Sequence, residues 1–221
     1  MSDAIYEGNI DIVQLVLERS PISSTSLKHG KTPFQIAFIR ACRIEAGKEG
    51  YLMSSQKKTS VECRFNKILS ILEFKGYANF EQRIFHPDDC AIDWELPIHY
   101  STRLGAYNKL KWILDLGCNV NGRNAVGETA LMIACRVGCH KIIHLILEHG
   151  AIVENIDNKQ KYTALHYATN SGDFLVTKLL VEVGVDKLLR GADGKNACDI
   201  AEEKGYTLCS EYLKKVRFKI A

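Results

Sequence analysis

The chain has 221 residues, a formal net charge of +3, and an ordinary globular balance of 46% apolar and 25% charged residues. So small a charge gives no case for a nucleic-acid binder, and no apolar run approaches the roughly 18 residues of a membrane span. The opening MSDAIYEGNIDIVQ lacks the apolar block of a signal peptide, and the 8 cysteines include no C-x-x-C pair, so reduced thiols in a cytoplasmic or nuclear protein are expected.

In chain order, SDAIYEGNIDIVQLVLERS reads as a short helix, a reversal at Gly8 and a second helix. A second unit opens with TPFQIAFIRA, and its second helix returns only at about Phe65 to Phe74, ending at Gly76. Pro33 to Gly76 is 43 residues where Ala130 to Gly150 is 20, so residues 42–64 form a 23-residue insertion. It is rich in Gly, Ser and Lys, and part of it is expected to be mobile. Two readings are open: a recognition flap beside a binding face, or a surface insertion tolerated because loop lengthening costs little. The third unit contains WELPIHYSTRLGAYNKLKWILDLGC, Trp94 to Cys118. In the fourth, Thr129 reads as an N-cap, a helix covers about 130–137, Gly138 permits a tight reversal, a second helix covers about 140–148, and Gly150 caps it. KYTALHYATNSGDFLVTKLLVEVGV and GKNACDIAEEKGYTLCSEYLKKVRF are its fifth and sixth versions.

Two glycine series set the period. Gly105, Gly138, Gly172 and Gly205 are 33, 34 and 33 residues apart, and Gly117, Gly150 and Gly184 repeat the 33 and 34. No single helix here is long enough to stand alone in water, so stacking of neighbouring units must bury the apolar faces.

The pattern resembles the ankyrin repeat. Its T-P-L-H-x-A signature is matched by TPFQIA (32–37), LPIHYS (96–101), TALMIA (129–134), TALHYA (163–168) and NACDIA (196–201). Gln35 and Met132 stand where His is usual, and Lys109 where an apolar residue is usual. The resemblance implies an all-α solenoid of about six helix-turn-helix units with hairpin fingers, forming one domain over 1–221. The units fall at about 1–24, 25–80 with the insertion, 89–121, 122–154, 155–188 and 189–221. It further implies a non-enzymatic module that recruits or masks another protein through a concave surface of finger tips and first helices. Alternatives are the targeting domain of a larger enzyme or membrane protein, and a mimic of inhibitory ankyrin proteins that masks a transcription factor. No cofactor, small-molecule substrate, direct nucleic-acid contact or membrane insertion is expected, and the chain is expected to be monomeric on its own.

By register, the partner-binding candidates are Asp93, Trp94, Glu95, Arg103 and Leu104 in the third unit. Val126, Glu128, Arg136 and Val137 follow in the fourth, and Tyr162 and Asn170 in the fifth. Gln160, Ser171, Asp193 and Lys195 share these positions. Arg and Tyr are common interface anchors, so Arg103, Arg136 and Tyr162 lead. Trp94 replaces the usual finger glycine and is either buried by the long preceding linker or exposed as an anchor. The family resemblance also makes Asn121 a hydroxylation position, although the usual acidic residue two places earlier is Asn119. The row Cys135, Cys139, His140, His144 looks like zinc ligands, but only the two histidines share a helix face and the spacing does not suit a finger. The basic end, Lys214, Lys215, Arg217 and Lys219, reads as a soluble cap face or an acidic-partner contact.

Overall fold

The computed structural model describes residues 2–19, 32–47, 55–74 and 95–216. Twelve helices occur among them, and one helix pair falls within each expected unit. By its contacts the chain divides into two compact units, Met1–Asn119 and Val120–Ala221.

The first unit holds α1 (Ser2–Glu7), α2 (Ile10–Arg19), α3 (Pro33–Glu45), α4 (Ser55–Phe74), α5 (Pro97–Leu104) and α6 (Tyr107–Asp115). The start of α3 is fixed locally. Thr32 Oγ1 accepts from Gln35 N–H at 3.2 Å, and Gln35 Oε1 accepts from Thr32 N–H at 2.9 Å, a reciprocal capping box reinforced by Pro33 in the first turn. Gln35 thus performs the task of the missing histidine. His99 does the same for α5, its Nδ1 accepting from Leu96 N–H at 3.2 Å. The core comprises Phe34, Phe38, Ala41 and Cys42 from α3, Phe65, Ile68, Leu69 and Leu72 from α4, and Leu110 and Ile113 from α6.

The insertion is not simply a loop. Helix α3 continues to Glu45 and α4 begins at Ser55, so residues 42–45 and 55–64 of the inserted stretch are helical. The cause lies in the sequence: Phe34, Phe38, Ala41 and Cys42 keep one helical phase across the expected boundary, and no Gly or Pro intervenes before Gly47. The extension also supplies chemistry. Glu45 Oε1 accepts from Asn108 N–H at 2.7 Å and its Oε2 from Lys109 N–H at 3.2 Å, capping α6, whose own N-cap is Ala106. Lys109 Nζ lies 3.5 Å from Glu45 Oε2 and 3.9 Å from Glu62 Oε1. This explains how a lysine occupies an apolar position: its ammonium is buried between two carboxylates donated by the insertion.

The second unit holds α7 (Ala130–Val137), α8 (His140–Glu148), α9 (Ala164–Asn170), α10 (Phe174–Val183), α11 (Ala197–Glu203) and α12 (Thr207–Lys215). The first helices stack α7 on α9 on α11, and α10 packs on α12. Helix α7 is buried from Ala130 to Cys135, while α8 buries only the stripe Ile142, Ile143, Leu145 and Ile146. Thr129, Thr163 and Asn196 begin the three first helices. Met132 Sδ, His166 Nδ1 and Asp199 Oδ2 each accept the N-cap N–H, at 3.4, 3.1 and 3.0 Å. Gly138, Gly172 and Gly205 make the reversals with φ of 74°, 75° and 74°, a region costly for other residues. At Gly172 the space is filled as well: an added Cβ would lie 2.8 Å from the Tyr206 ring.

The expected hairpin fingers are tight turns bonded to one another. Asn158 N–H donates to Val126 O at 2.9 Å and Ala192 N–H to Gln160 O at 2.7 Å. Gly127 and Gly194 take φ of 82° and 77° at equivalent finger positions, and Lys161, φ 55°, holds the left-handed position between them.

Candidate functional site

Each finger ends immediately before the cap of a first helix, and the helix then carries a side chain back past the finger eight residues later. In three repeats these two positions form an ion pair. Arg103 Nε donates to Glu95 Oε1 and Oε2 at 3.1 and 3.3 Å, and Arg136 Nη2 donates to Glu128 Oε2 at 3.1 Å. In the last repeat the polarity is reversed, with Lys195 Nζ on Glu203 Oε2. Tyr162 and Asn170 occupy the two positions in the fifth repeat.

This geometry corrects the expectation that Glu95 and Glu128 face a partner. They are 7% and 8% exposed. Their carboxylates fold under the arginine because a charge-assisted hydrogen bond offsets their desolvation. The arginines carry the surface instead. Arg103 lies over the Tyr100 ring at 5.5 Å and Arg136 over the Tyr167 ring at 6.0 Å. Val137 is 50% exposed beside Arg136, Asn170 is exposed, and Leu104 and Val126 are half-buried. Asp93 and Trp94 lie outside the described residues, as do Arg217 and Lys219 of the basic end.

Tyr162 is half-buried, stacks on His166 with ring centroids 4.8 Å apart, and donates its hydroxyl to Asp193 Oδ2 at 2.7 Å. Burial and that hydrogen bond push its phenol up to about 12. Burial also pushes the Tyr167 phenol up, aided by the charges of Glu128 and Asp157. His166 is held below the usual imidazole range by burial, against opposing contributions from the backbone of Leu189 and Lys195.

Sequence reasoning missed Asp157. It is 1% exposed and accepts from the N–H groups of Lys159, Gln160 and Tyr162 at 2.7, 2.6 and 2.8 Å, and from the Tyr167 hydroxyl at 3.3 Å. One carboxylate therefore shapes a whole finger and ties it to the adjoining helix. Asn124, 33 residues earlier, does the same on a smaller scale, accepting from Val126 and Glu128 N–H at 3.1 and 2.8 Å. That Asn/Asp spacing was the available signal.

Asn121 is part of the turn scaffold: its Oδ1 accepts from Ile152 N–H at 2.8 Å and its Nδ2 donates to Gly150 O at 3.4 Å. The apparent zinc row is dispersed. Cys135 is fully buried, with its thiol pushed up by burial, Cys139 stands at the N-cap position of α8 without a side-chain capping bond, and His140 Nε2 lies 2.6 Å from Asp173 Oδ2. Among the described residues no group of three or more His, Cys, Asp and Glu is placed to hold a metal ion. No helix among them is long and apolar enough to cross a membrane.

The family model described as "Ankyrin repeats (3 copies)" matches residues 80–157 and 98–191. Alpha-latroinsectotoxin-Lt1a of Latrodectus tredecimguttatus is 30% identical over 58% of this chain and 9% of its own length. The probable E3 ubiquitin-protein ligase XBOS33 of Oryza sativa subsp. japonica is 34% identical over 38% of this chain and 16% of its own. Ankyrin repeat and SAM domain-containing protein 6 of Mus musculus is 41% identical over 47% of this chain and 12% of its own. The chain thus spans less than a fifth of the length of each of these relatives.

Proposed function

This chain belongs to the ankyrin-repeat family, and on that premise we propose that it is a non-enzymatic protein-binding module, recruiting or masking a partner through its fingers and first helices. Ankyrin repeats are generally protein–protein interaction modules. The observation that carries the reading is the half-exposed Arg136 and its neighbour Val137, set beside a finger whose Asn124, Val126, Gly127 and Glu128 N–H groups are all hydrogen-bonded. Rigid scaffolding beneath an exposed Arg and apolar pair is the usual make-up of an interface anchor. Tyr162 and Asn170 extend the proposed surface within the second unit, with Glu128 supporting it from beneath, and Asp93, Trp94, Arg103 and Leu104, with Glu95, are proposed as a binding surface of the first unit in its own right. A reducing compartment, cytoplasm or nucleus, belongs to the same proposal, supported by six cysteines, Cys42, Cys63, Cys135, Cys139, Cys198 and Cys209, that stand as free thiols among the described residues.

Affinity capture from cell lysate tests the reading. The substitutions Val137→Asp and Asn170→Arg alter exposed side chains that carry no fold-holding bond, unlike alanine at Arg103, Arg136 or Tyr162. A discrete protein retained by the wild type and lost by this double variant is the expected result. Identical recovery by both removes the finger and first-helix face from the proposal.

A second reading has its own support. The relatives are much longer than the matched stretch, and one is named as a ubiquitin ligase. The array would then be the recognition part of a larger protein whose chemistry lies elsewhere.

A further inference from the structure

The polar groups around Arg136 specify what kind of partner segment this face suits. The Arg136 side chain is 49% exposed. Nη2 is bonded to Glu128 Oε2 at 3.1 Å, and the guanidinium lies over the Tyr167 ring at 6.0 Å. Asn124 Nδ2 donates to the same Glu128 oxygen at 3.1 Å, giving the carboxylate a second anchor. The plane and position of the guanidinium are therefore fixed from within, while Nη1 and Nε have no acceptor among the described residues. An arginine ordered in advance loses little entropy when it takes a second planar anion.

The charge around it is arranged by depth. In the hairpin turns of the two fingers, at 123–129 and 157–163, the acidic groups, Glu128 and Asp157, are 8% and 1% exposed, while Glu154, just before the second turn, is exposed. The cations of those fingers, Arg123, Lys159 and Lys161, are exposed. A ligand approaching the two turns meets three exposed cations there against the single exposed carboxylate of Glu154. Val137, immediately after the arginine, adds an exposed apolar contact. In the last repeat the order reverses, with Glu203 57% exposed beyond Lys195, so the cationic character does not extend along the whole face.

We infer that the face built by residues 122–171 binds an acidic segment of a partner protein, one carboxylate of which forms an end-on forked pair with Nη1 and the second N–H of Nη2 of Arg136. This rests on the protein-binding reading above and narrows it to a chemical class. Two parallel N–H···O bonds of a charged pair supply geometry that a lysine cannot.

The test is titration of the ¹⁵N-labelled full chain at low salt, following backbone amides and arginine Nε–H signals. The probes are an acetylated hexaglutamate peptide, a hexalysine peptide and the oligonucleotide dT12. Saturable shifts of Arg136 Nε–H and of amides in 124–128 and 160–171 with hexaglutamate, absent with hexalysine, are expected. Arg136→Gln should weaken hexaglutamate by about ten-fold, and Arg136→Lys, which keeps the charge but not the fork, should recover only part of it. The unperturbed remainder of each variant's spectrum reports that it is folded. Hexaglutamate shifts centred elsewhere, an Arg136→Gln affinity equal to the wild type, or tighter binding of dT12 at the same residues would each overturn the inference. If the peptide fails while Val137→Asp/Asn170→Arg still abolishes capture of a protein, the acidic-segment inference falls and the protein-binding reading stands.

Discussion

Replacing Lys109 by Met tests whether the insertion is structural. The substitution restores the apolar residue usual at this position, so repeat consensus alone predicts a gain in stability. The structure predicts a loss. The Lys109 side chain is 5% exposed, with Nζ 3.5 Å from Glu45 Oε2 and 3.9 Å from Glu62 Oε1. At an effective dielectric of about 20, either attraction is of the order of 4 kcal/mol before desolvation is counted. Removing one partner of a buried pair typically costs about 3–5 kcal/mol, because the other charge is left behind. Two features reduce that figure here: Glu45 keeps two backbone N–H donors from α6, and the Glu62 side chain is 28% exposed and can hydrate. The expected loss is about 2–3 kcal/mol. Urea unfolding followed by tryptophan fluorescence reads it, since Trp112 lies on α6, the helix that carries Lys109. Adding Glu45→Gln should lower stability by less in the Lys109→Met background than alone, with a coupling of about 1–3 kcal/mol. A Lys109→Met midpoint equal to or above the wild type would refute the reasoning.

Gly138→Ala and Gly172→Ala share a left-handed penalty of about 1–2 kcal/mol, but only the second drives a methyl group into Tyr206. The overpacking should add about 1–3 kcal/mol, and equal losses in chemical denaturation would show that Tyr206 does not fill that space. Lys161→Gly relieves the non-glycine left-handed residue and, net of glycine's greater unfolded-state entropy, should stabilise by up to about 1 kcal/mol, read as a rise in melting temperature. Buried His166 has its pKa lowered, so the unfolded chain binds the proton more readily. Its contribution to stability is complete above the ordinary histidine pKa of about 6.5 and declines as pH falls below it towards the folded value. His166→Gln should flatten that part of the stability-versus-pH curve, and an unchanged slope would assign it to other groups.

Much of the fold was legible because one physical requirement recurs: each reversal needs a residue at positive φ, and glycine in two 33- and 34-residue series marks it. The N-cap Thr129 was legible for a similar reason, a short polar side chain before an apolar helix. The insertion misled because its composition argues for a loop, whereas the phase of Phe34, Phe38, Ala41 and Cys42 argues for a longer helix, and burial decided for phase. The surface was the least legible part. Register assigns Glu95 and Glu128 to the binding row, but register does not give side-chain direction. Their arginine partners lie eight residues away across a cap, outside the three- and four-residue neighbours of a helix face. Asp157 was overlooked because a polar turn residue looks like solvent-facing loop until its four donors are in view.

The central claim is that a partner protein meets the fingers and first helices. Site-specific photo-crosslinking in cells tests it most directly, with a benzophenone side chain placed at Val137, at Asn170 or, on the second helix α10, at Lys178. The account predicts the same discrete partner adduct from positions 137 and 170 and none from 178. A discrete adduct from position 178 alone would contradict it.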